Sequence, residues 1–574
     1  MRTFAPKFQE NNPMRYLSIL FCNALKCRLL LPITILLSLL LQPSTLHSFP
    51  KYEVRAVWLA TIGGIDWPRS ANAATQKEEL RQMLDQLRRA GINTVLFQAR
   101  VRATTVYPSA LEPWDVCING GQKRGATGTS PGYDPLRLCI DLCHERGMEC
   151  HAWVVTLPVG KWNSQGCRLL RQKYPKLIKR IGEEGYMDPE QTATGEYLAQ
   201  ICREIVRGYD VDGIHLDYIR YPEKWKLKVS RQKGREHITD IVRRIHDAVK
   251  SEKPWVKMSC SPIGKHDDLR RYRSGGWNAR TAVCQDAQEW LRMGLIDQLY
   301  PMMYFKGDNF FPFAIDWQEN AYGRTVAGGL GIYFLDPREG QWTLDVVERE
   351  MNVLRQIGMG FCHFRSKFLC DNVKGIYDLT SRFCAVPALV PPMPQGTSTA
   401  PLPPTALQLN GHTLTWKDLS SSNLPSPSTL NPPPLFNIYA SEDFPVDISR
   451  AENLIATRLT KTSVNVTAGR MNFAVTAMNR YGQESAPAQL LLNAGPAYTA
   501  PTIAVTRGKS VRIPQNSTLD ADFIIIETMA GSPVAIRPYG PVVSTEDIPA
   551  GMYQLRTLGR KGRNHRIGFF SIVQ

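Results

Sequence analysis

The sequence has a single long apolar run, residues 29–41, which excludes a multi-span membrane protein. No Gly-x-Gly-x-x-Gly turn follows the first apolar strand, and no phosphate-cradling glycine loop is present, so nucleotide-cofactor binding is not expected. Nothing has the spacing of metal ligands; neither a cofactor nor a metal is expected. Cysteine is sparse, at 13, and two of these, Cys22 and Cys27, precede residue 48. The others are scattered without a Cys-x-x-Cys pair and are absent beyond Cys384, the pattern of small buried apolar residues and not of a disulfide framework. Negative charge is also short: 52 acidic against 69 basic residues give +17. No nucleic-acid-binding module accompanies that excess, so nucleic acid is not an expected partner.

What is present is a globular composition, 43% hydrophobic and 21% charged, long enough for several domains. Arg15, Lys26 and Arg28 precede the apolar run and a polar stretch follows it. A basic flank, a short apolar centre and a polar exit make residues 1–48 a secretory signal; Pro32 and the run's length argue against a membrane anchor. Met14 offers a second start, and no lipidation cysteine follows the run. The expected address is outside the cytoplasm: periplasm, outer-membrane surface or medium.

From residue 49 to 386 one phrase repeats: an amphipathic helix, a glycine, then a short apolar strand. Thr75 and Glu78 have capping-box spacing, Leu80, Met83, Leu84 and Leu87 mark one helical face, Gly91 ends it, and residues 93–100 follow as a strand. Asp134-Pro135 opens the next helix and Gly147 closes it before residues 148–155. Further strands read at 53–60, 212–217, 256–262, 297–304, 326–333 and 359–365. Alternation of this kind makes parallel strands with helical crossovers, and eight of them close as a (β/α)8 barrel.

Residues 387–404 then form a Pro/Ser/Thr linker, expected to be stiff and without a core, so that a fragment ending near Val386 should fold alone. Short alternating strands follow. An early Trp416, Tyr439-Ala440-Ser441 and FAVTAMNRYGQES at 473–485 resemble a fibronectin type III module over residues 405–495. Residues 500–574, with IPAGMYQL at 548–555, resemble the C-terminal β-sandwich of exported Bacteroidetes proteins, a sorting signal in some relatives.

In such barrels functional groups project from the C-terminal ends of the strands. That shortlists Trp58, Gln98, Arg100, His151, Trp153, His215, Asp217, Ser261, Tyr304, Tyr333 and His363. Asp217 stands out. Strand alternation puts it on the same side as His215 and nearer the C-terminal end, and a carboxylate facing a barrel interior is costly unless solvated or paired. Arg220 is a candidate partner; the alternative is a structural Asp–Arg clamp.

Several segments in order resemble the glycosyl-hydrolase-like family 10: VRAVWLAT at 54–61, GYDPLRLCIDLCHERGMECHAW at 132–153, VDGIHLDYIRYP at 211–222, Ser261-Pro262, and DAQEWLRMGLIDQLYPMMY at 286–304. The resemblance implies an exported glycan-processing barrel that hydrolyses glycosidic bonds, in some members those of peptidoglycan glycan strands. The fourth strand is also similar to the family 18 chitinase pattern, but His215 replaces its middle Asp and Ile219 its catalytic Glu, so substrate-assisted chemistry is not carried over. The Asp-Asp-Tyr usual in the glycosyl-hydrolase-like family is Asp217-Tyr218 here, and His363-Phe364-Arg365-Ser366 stands in place of Phe-Ser.

Glycoside hydrolysis ordinarily uses two carboxyl groups. Asp217 is the first candidate, as nucleophile or stabiliser of the oxocarbenium-like state. Asp286, matching an Asp-x-x-x-Trp position of the family, ranks ahead of Asp267, Asp268, Asp308 and Asp316 for the second. Trp58, Trp153, Tyr218 and Tyr304 offer faces for sugar stacking, and Gln98, Arg100, His151, His215 and Arg220 offer hydrogen bonds to hydroxyls or carboxylates. Lys/Arg runs at 168–180 and 224–235 lie beyond strands three and four, where they attract an anionic glycan or form a solvated face. The partner expected is a polysaccharide, peptidoglycan included, with envelope association. Two rival readings are a catalytically silent glycan-binding protein and an envelope amidase or deacetylase.

Overall fold

The computed structural model describes residues 49–573 except 120–127, 273, 275–276, 395–399, 419–431, 467–470, 493–502, 507–509, 513–522, 530–531, 541 and 559–563. The secretory-signal reading and part of the linker lie outside the described residues. No described helix is long and apolar enough to cross a membrane.

Eight strands close a parallel barrel: β1 (Arg55–Leu59), β2 (Thr94–Arg100), β3 (Glu149–Val155), β4 (Gly213–Asp217), β5 (Lys257–Ser261), β6 (Gln298–Leu299), β7 (Thr325–Leu330) and β8 (Gly360–His363). All eight occupy the stretches expected from the repeating phrase. The crossover helices are α1 (Ala73–Arg89), α2 (Pro135–Glu145), α3 (Thr192–Gly208), α4 (Arg231–Glu252), α5 (Ala287–Arg292), α6 (Phe311–Glu319), α7 (Leu344–Gln356) and α8 (Ile376–Phe383). Asp134 caps α2 as its sequence demands, accepting from the Arg137 amide. On α1 the expected capping box is displaced: the helix starts three residues earlier, capped by Asn72, whose side chain accepts from the Thr75 amide at 3.0 Å. Leu80, Leu84 and Leu87 pack under it against Val95 and Phe97.

Register fixes the height of each interior side chain. Trp153, His215 and Ser259 are level, and two residues further along Val155, Asp217 and Ser261 form the top row. Beyond β3 the chain makes an unanticipated excursion of three antiparallel strands, Pro158–Lys161, Ile178–Ile181 and Glu184–Met187, which builds a wall on the mouth side.

After the barrel, strands Thr405–Asn410, Thr413–Lys417 and Ser463–Asn465 form one sheet. Leu454–Leu459, Leu435–Ser441, Asn472–Met478 and Ala488–Leu490 form a second, with Leu414, Trp416, Phe436, Ile438 and Val475 in the core of this module. A last five-stranded sheet packs around Ile524, Ile526, Leu555 and Phe570.

The linker departs from the stiff, coreless spacer expected. Ala388, Leu389, Val390 and Met393 are buried. Leu389 exchanges backbone hydrogen bonds with Lys51 and Glu53 and packs on Tyr439 and Leu454. The seven-stranded module is then fastened to the barrel floor, the N-terminal ends of the strands. Arg458, with φ 57° beside an irregularity in strand pairing, turns its side chain out of the module. Its guanidinium donates to Glu149 at 3.0 Å and pairs with Asp212. Glu149 also binds Lys257 (2.6 Å) and His151 (3.0 Å), and Asp212 binds His144 (2.8 Å). Burial opposes charge on Glu149, but Lys257 and Arg458 hold its carboxyl down at about 2; Arg458 and His144 hold Asp212 well below its usual range. Gly147, left-handed at φ 68°, closes α2 and lies against the module: a Cβ there would meet the Thr457 carbonyl at 2.3 Å.

Candidate active site

Asp217 ends β4 in the top row, partly open to solvent. Three donors orient its carboxylate: the Tyr218 amide (2.8 Å) and Ser261 hydroxyl (2.9 Å) on one oxygen, and the Trp153 indole N–H (3.1 Å) on the other. The Asp217 carbonyl in turn accepts from the Thr156 amide and hydroxyl, tying β3 to β4 at the mouth. Tyr218 adopts a left-handed φ of 56°, a conformation that costs a bulky residue energy and turns the chain sharply away from the strand. The turn lets one residue touch two acids: the Tyr218 amide donates to Asp217 and its hydroxyl to Glu223. Glu223 also accepts from Arg220 (3.1 Å), whose guanidinium lies over the Tyr218 ring at 3.8 Å. Burial works against ionisation of Glu223, but the Tyr218 hydroxyl and Arg220 leave its carboxyl below the ordinary range.

An Asp217–Arg220 pairing, and with it the alternative of a structural clamp, is absent from the hydrogen bonds described; there the partner of Arg220 is Glu223. Glu223 was not among the sequence candidates. Its one signal is position, directly after the motif ending Tyr221-Pro222. Trp277, exposed and 5.8 Å from the Arg220 guanidinium, was also missed.

The other candidates divide by depth. Trp153 and Tyr218 touch the acidic pair. Tyr304 is partly buried, its ring set between Tyr333 and Phe364 and its enclosed hydroxyl without a partner among the described residues; burial, then Cys362 and Asp217, raise that hydroxyl's pKa. Trp58 and His215 lie lower. The Trp58 indole N–H donates to His215 Nε2 (3.1 Å), which leaves Nδ1–H to donate to Ser259 (3.0 Å); burial, then His151, keeps this imidazole neutral. His151 sits on the floor with Glu149. Gln98 and Arg100, expected at the mouth, are committed inside the protein. Gln98 accepts from the Thr61 and Ile62 amides, and Arg100, fully buried, binds Glu112 and the Val155 and Thr156 carbonyls. Strand alternation predicts the face of a residue but not its neighbours across the barrel. Asp286, expected as the second acid, precedes α5 and is engaged by Arg280 (3.2 Å), His266 (3.4 Å) and Arg235 (3.5 Å). Burial opposes these partners, which still hold its carboxyl below the usual range.

Among the described residues, one group brings three potential metal-ligand atoms together, the buried thiols of Cys139, Cys143 and Cys150, within 4.8 Å of one another. They lie in the apolar core between α2 and β3.

A closed parallel barrel with an oriented carboxylate at the C-terminal end of its fourth strand is the architecture of a (β/α)8 protein whose functional end is that rim. Residues 53–234 and 225–328 match the family described as Glycosyl hydrolase-like 10. The chain is 29% identical over 414 residues to Glycosyl hydrolase YngK of Bacillus subtilis (strain 168), covering 64% of this chain and 80% of that protein. It is 28% identical over 305 residues to Glycosyl hydrolase DigH of Escherichia coli (strain K12), covering 46% and 68%. Over the matched residues the chain is thus similar to proteins named glycosyl hydrolases. Among solved structures, the glycoside hydrolase domain of PgaB (BpsB) from Bordetella bronchiseptica aligns with 57% of this chain and 99% of its own length, at 13% identity and a TM-score of 0.40.

Proposed function

We propose that this protein is an exported hydrolase of glycosidic bonds in an envelope or environmental polysaccharide, peptidoglycan glycan strands among the candidates. The observation that carries the reading is the cradle of Asp217: three donors aim one carboxylate at the open end of the barrel. A carboxylate fixed there is suited to meet positive charge developing at an anomeric carbon, as nucleophile or as electrostatic stabiliser. In this reading its partner is Glu223 and not Asp286. Tyr218 joins Glu223 to Asp217, whereas Arg280, Arg235 and His266 already take up Asp286. An incoming glycosidic oxygen that displaces the Tyr218 hydroxyl and Arg220 from Glu223 would raise the pKa of that acid, as proton donation to the leaving group requires.

The test is incubation of the full chain with peptide-free peptidoglycan strands and a panel of neutral and acidic polysaccharides, with products read by mass spectrometry. New reducing ends are expected. A catalogue of glycans bound but never cut would replace the hydrolase by the glycan-binding reading. On a cleaved substrate, Glu223→Gln should lose activity on natural linkages by about a hundredfold or more while retaining it on aryl glycosides whose leaving group needs no proton. Equal losses on both, or the selective loss appearing in Asp286→Asn instead, would remove Glu223 from the role.

A further inference from the structure

Directly after Glu223 the chain enters a cleft of about 330 Å³ with an unusual lining. Lys224, Lys226 and Lys228 come from the segment between β4 and α4, and Lys179 and Arg180 from the excursion strand Ile178–Ile181. Trp225 lies between them, partly buried, with the Lys179 ammonium 4.8 Å from its ring centre and Tyr221 against its edge at 5.8 Å. Glu190 is the one carboxylate in the lining. Lys179 is paired with Asp188 at 2.6 Å, but Lys224, Lys226 and Lys228 have no ion-pair partner among the described residues.

Cations crowded without counter-charge repel one another, and a solvated face relieves this by spreading them or interspersing acids. Here they line one cleft together with Trp225, whose aromatic face is the kind of surface on which a sugar ring stacks. A second observation lies at the other end of Glu223. Arg220 is only 4% exposed and paired with Glu223 through Nη2, yet its Nε and Nη1 have no hydrogen-bond partner among the described residues, so two buried donors beside the candidate acids are unmatched.

We infer that the Trp225 cleft is a subsite for a sugar residue bearing a carboxylate, stacked on Trp225 and held by Lys224, Lys226 and Lys228, which makes the substrate of the proposed hydrolase an acidic glycan. The inference rests on the hydrolase reading for its consequence, but not for its measurement. A carboxylate on the ring, as in a uronic acid, and one on an ether-linked side chain of an amino sugar present the same chemistry to the cleft; the probes below separate them.

The experiment uses the full chain in affinity electrophoresis at low salt with two matched pairs: polygalacturonate and its carboxyl-reduced form, and a peptide-free glycan of ether-carboxylated amino sugars and its carboxyl-reduced form. One acidic member is expected to bind about tenfold more tightly than its reduced partner, the sum of a few exposed charge contacts. The preference should collapse toward unity in the triple variant Lys224→Gln, Lys226→Gln, Lys228→Gln, with the melting temperature and binding of the reduced glycan unchanged. No preference within either pair, or a preference the triple variant retains, overturns the subsite. Charge-selective binding without any new reducing ends would retire the hydrolase reading and leave the subsite standing; cleavage with no charge preference would do the reverse.

Discussion

Removing the Arg458 guanidinium should destabilise the barrel from outside it. Arg458 is about nine-tenths buried and is shared by Glu149 and Asp212, both interior. Leaving a buried charge without its partner costs about 3–5 kcal/mol. The lower end applies, because Glu149 keeps Lys257 and His151, and Asp212 keeps His144 and the Cys150 amide. A loss of about 3 kcal/mol in a unit of this size corresponds to roughly 3–4 °C in melting temperature. Arg458→Met retains most of the apolar stem, so a similar loss in Arg458→Met and Arg458→Ala would assign the effect to charge. The pH dependence supplies a second check. Both carboxyls are depressed in the folded state, Glu149 from 4.5 to about 2, so the stability they contribute is fully present above about pH 5 and is lost as pH falls toward 2. The gap between wild type and variant should therefore be full at neutral pH and narrow as the solution is acidified through that window. Calorimetry at several pH values decides it. A variant melting within about 1 °C of wild type at pH 7, or a gap indifferent to acid, would refute the reasoning. A barrel fragment ending near Val386 loses the same guanidinium and should share the deficit, contrary to the independent folding expected from the sequence.

Asp217→Asn should reduce turnover by about three powers of ten or more, with glycan binding preserved. Its amide can satisfy Tyr218 and Ser261 but sets an N–H against the Trp153 indole N–H, so stability should fall by about 1 kcal/mol; near-normal turnover from a folded variant would end the proposal for this residue. Glu350 on α7 is buried with both oxygens unpartnered among the described residues, and burial pushes its carboxyl up to about 9. The unfolded chain ionises near 4.5 while the folded one holds its proton, so stability should decline with pH between these values, by at most about 1.4 kcal/mol per unit. Glu350→Gln should abolish that decline; an identical pH slope in the variant would assign it to other groups.

The barrel was legible because each turn of it repeats a short grammar. Glycine after an amphipathic helix and before an apolar strand is a local signal, and eight local signals suffice for closure. Asp217 was legible for a related reason: alternation along β4 orders its side chains, and the last inward residue is the one at the mouth. Glu223 was hidden because its approach to Asp217 depends on the left-handed turn at Tyr218, which nothing in Asp217-Tyr218-Ile219 announces. Arg100 and Gln98 misled because facing inward and facing the mouth are different properties; the first follows from periodicity, the second from neighbours such as Glu112 and Thr61 that lie in loops. The meeting of Arg458 with Glu149 spans 309 positions and no periodicity encodes it.

That meeting bears on how such proteins can be recombined. The barrel closes its own sheet but not its own charge balance, and the missing cation is lodged in another domain's strand. Grafting this barrel onto a foreign C-terminal partner, in the laboratory or through gene fusion, would transfer two interior acids without the guanidinium they share. A viable exchange must bring a cation to the same place, or replace Glu149 and Asp212 with neutral residues at the same time. Barrel and adjoining module are thus expected to travel through a lineage as a pair, with these three positions changing together.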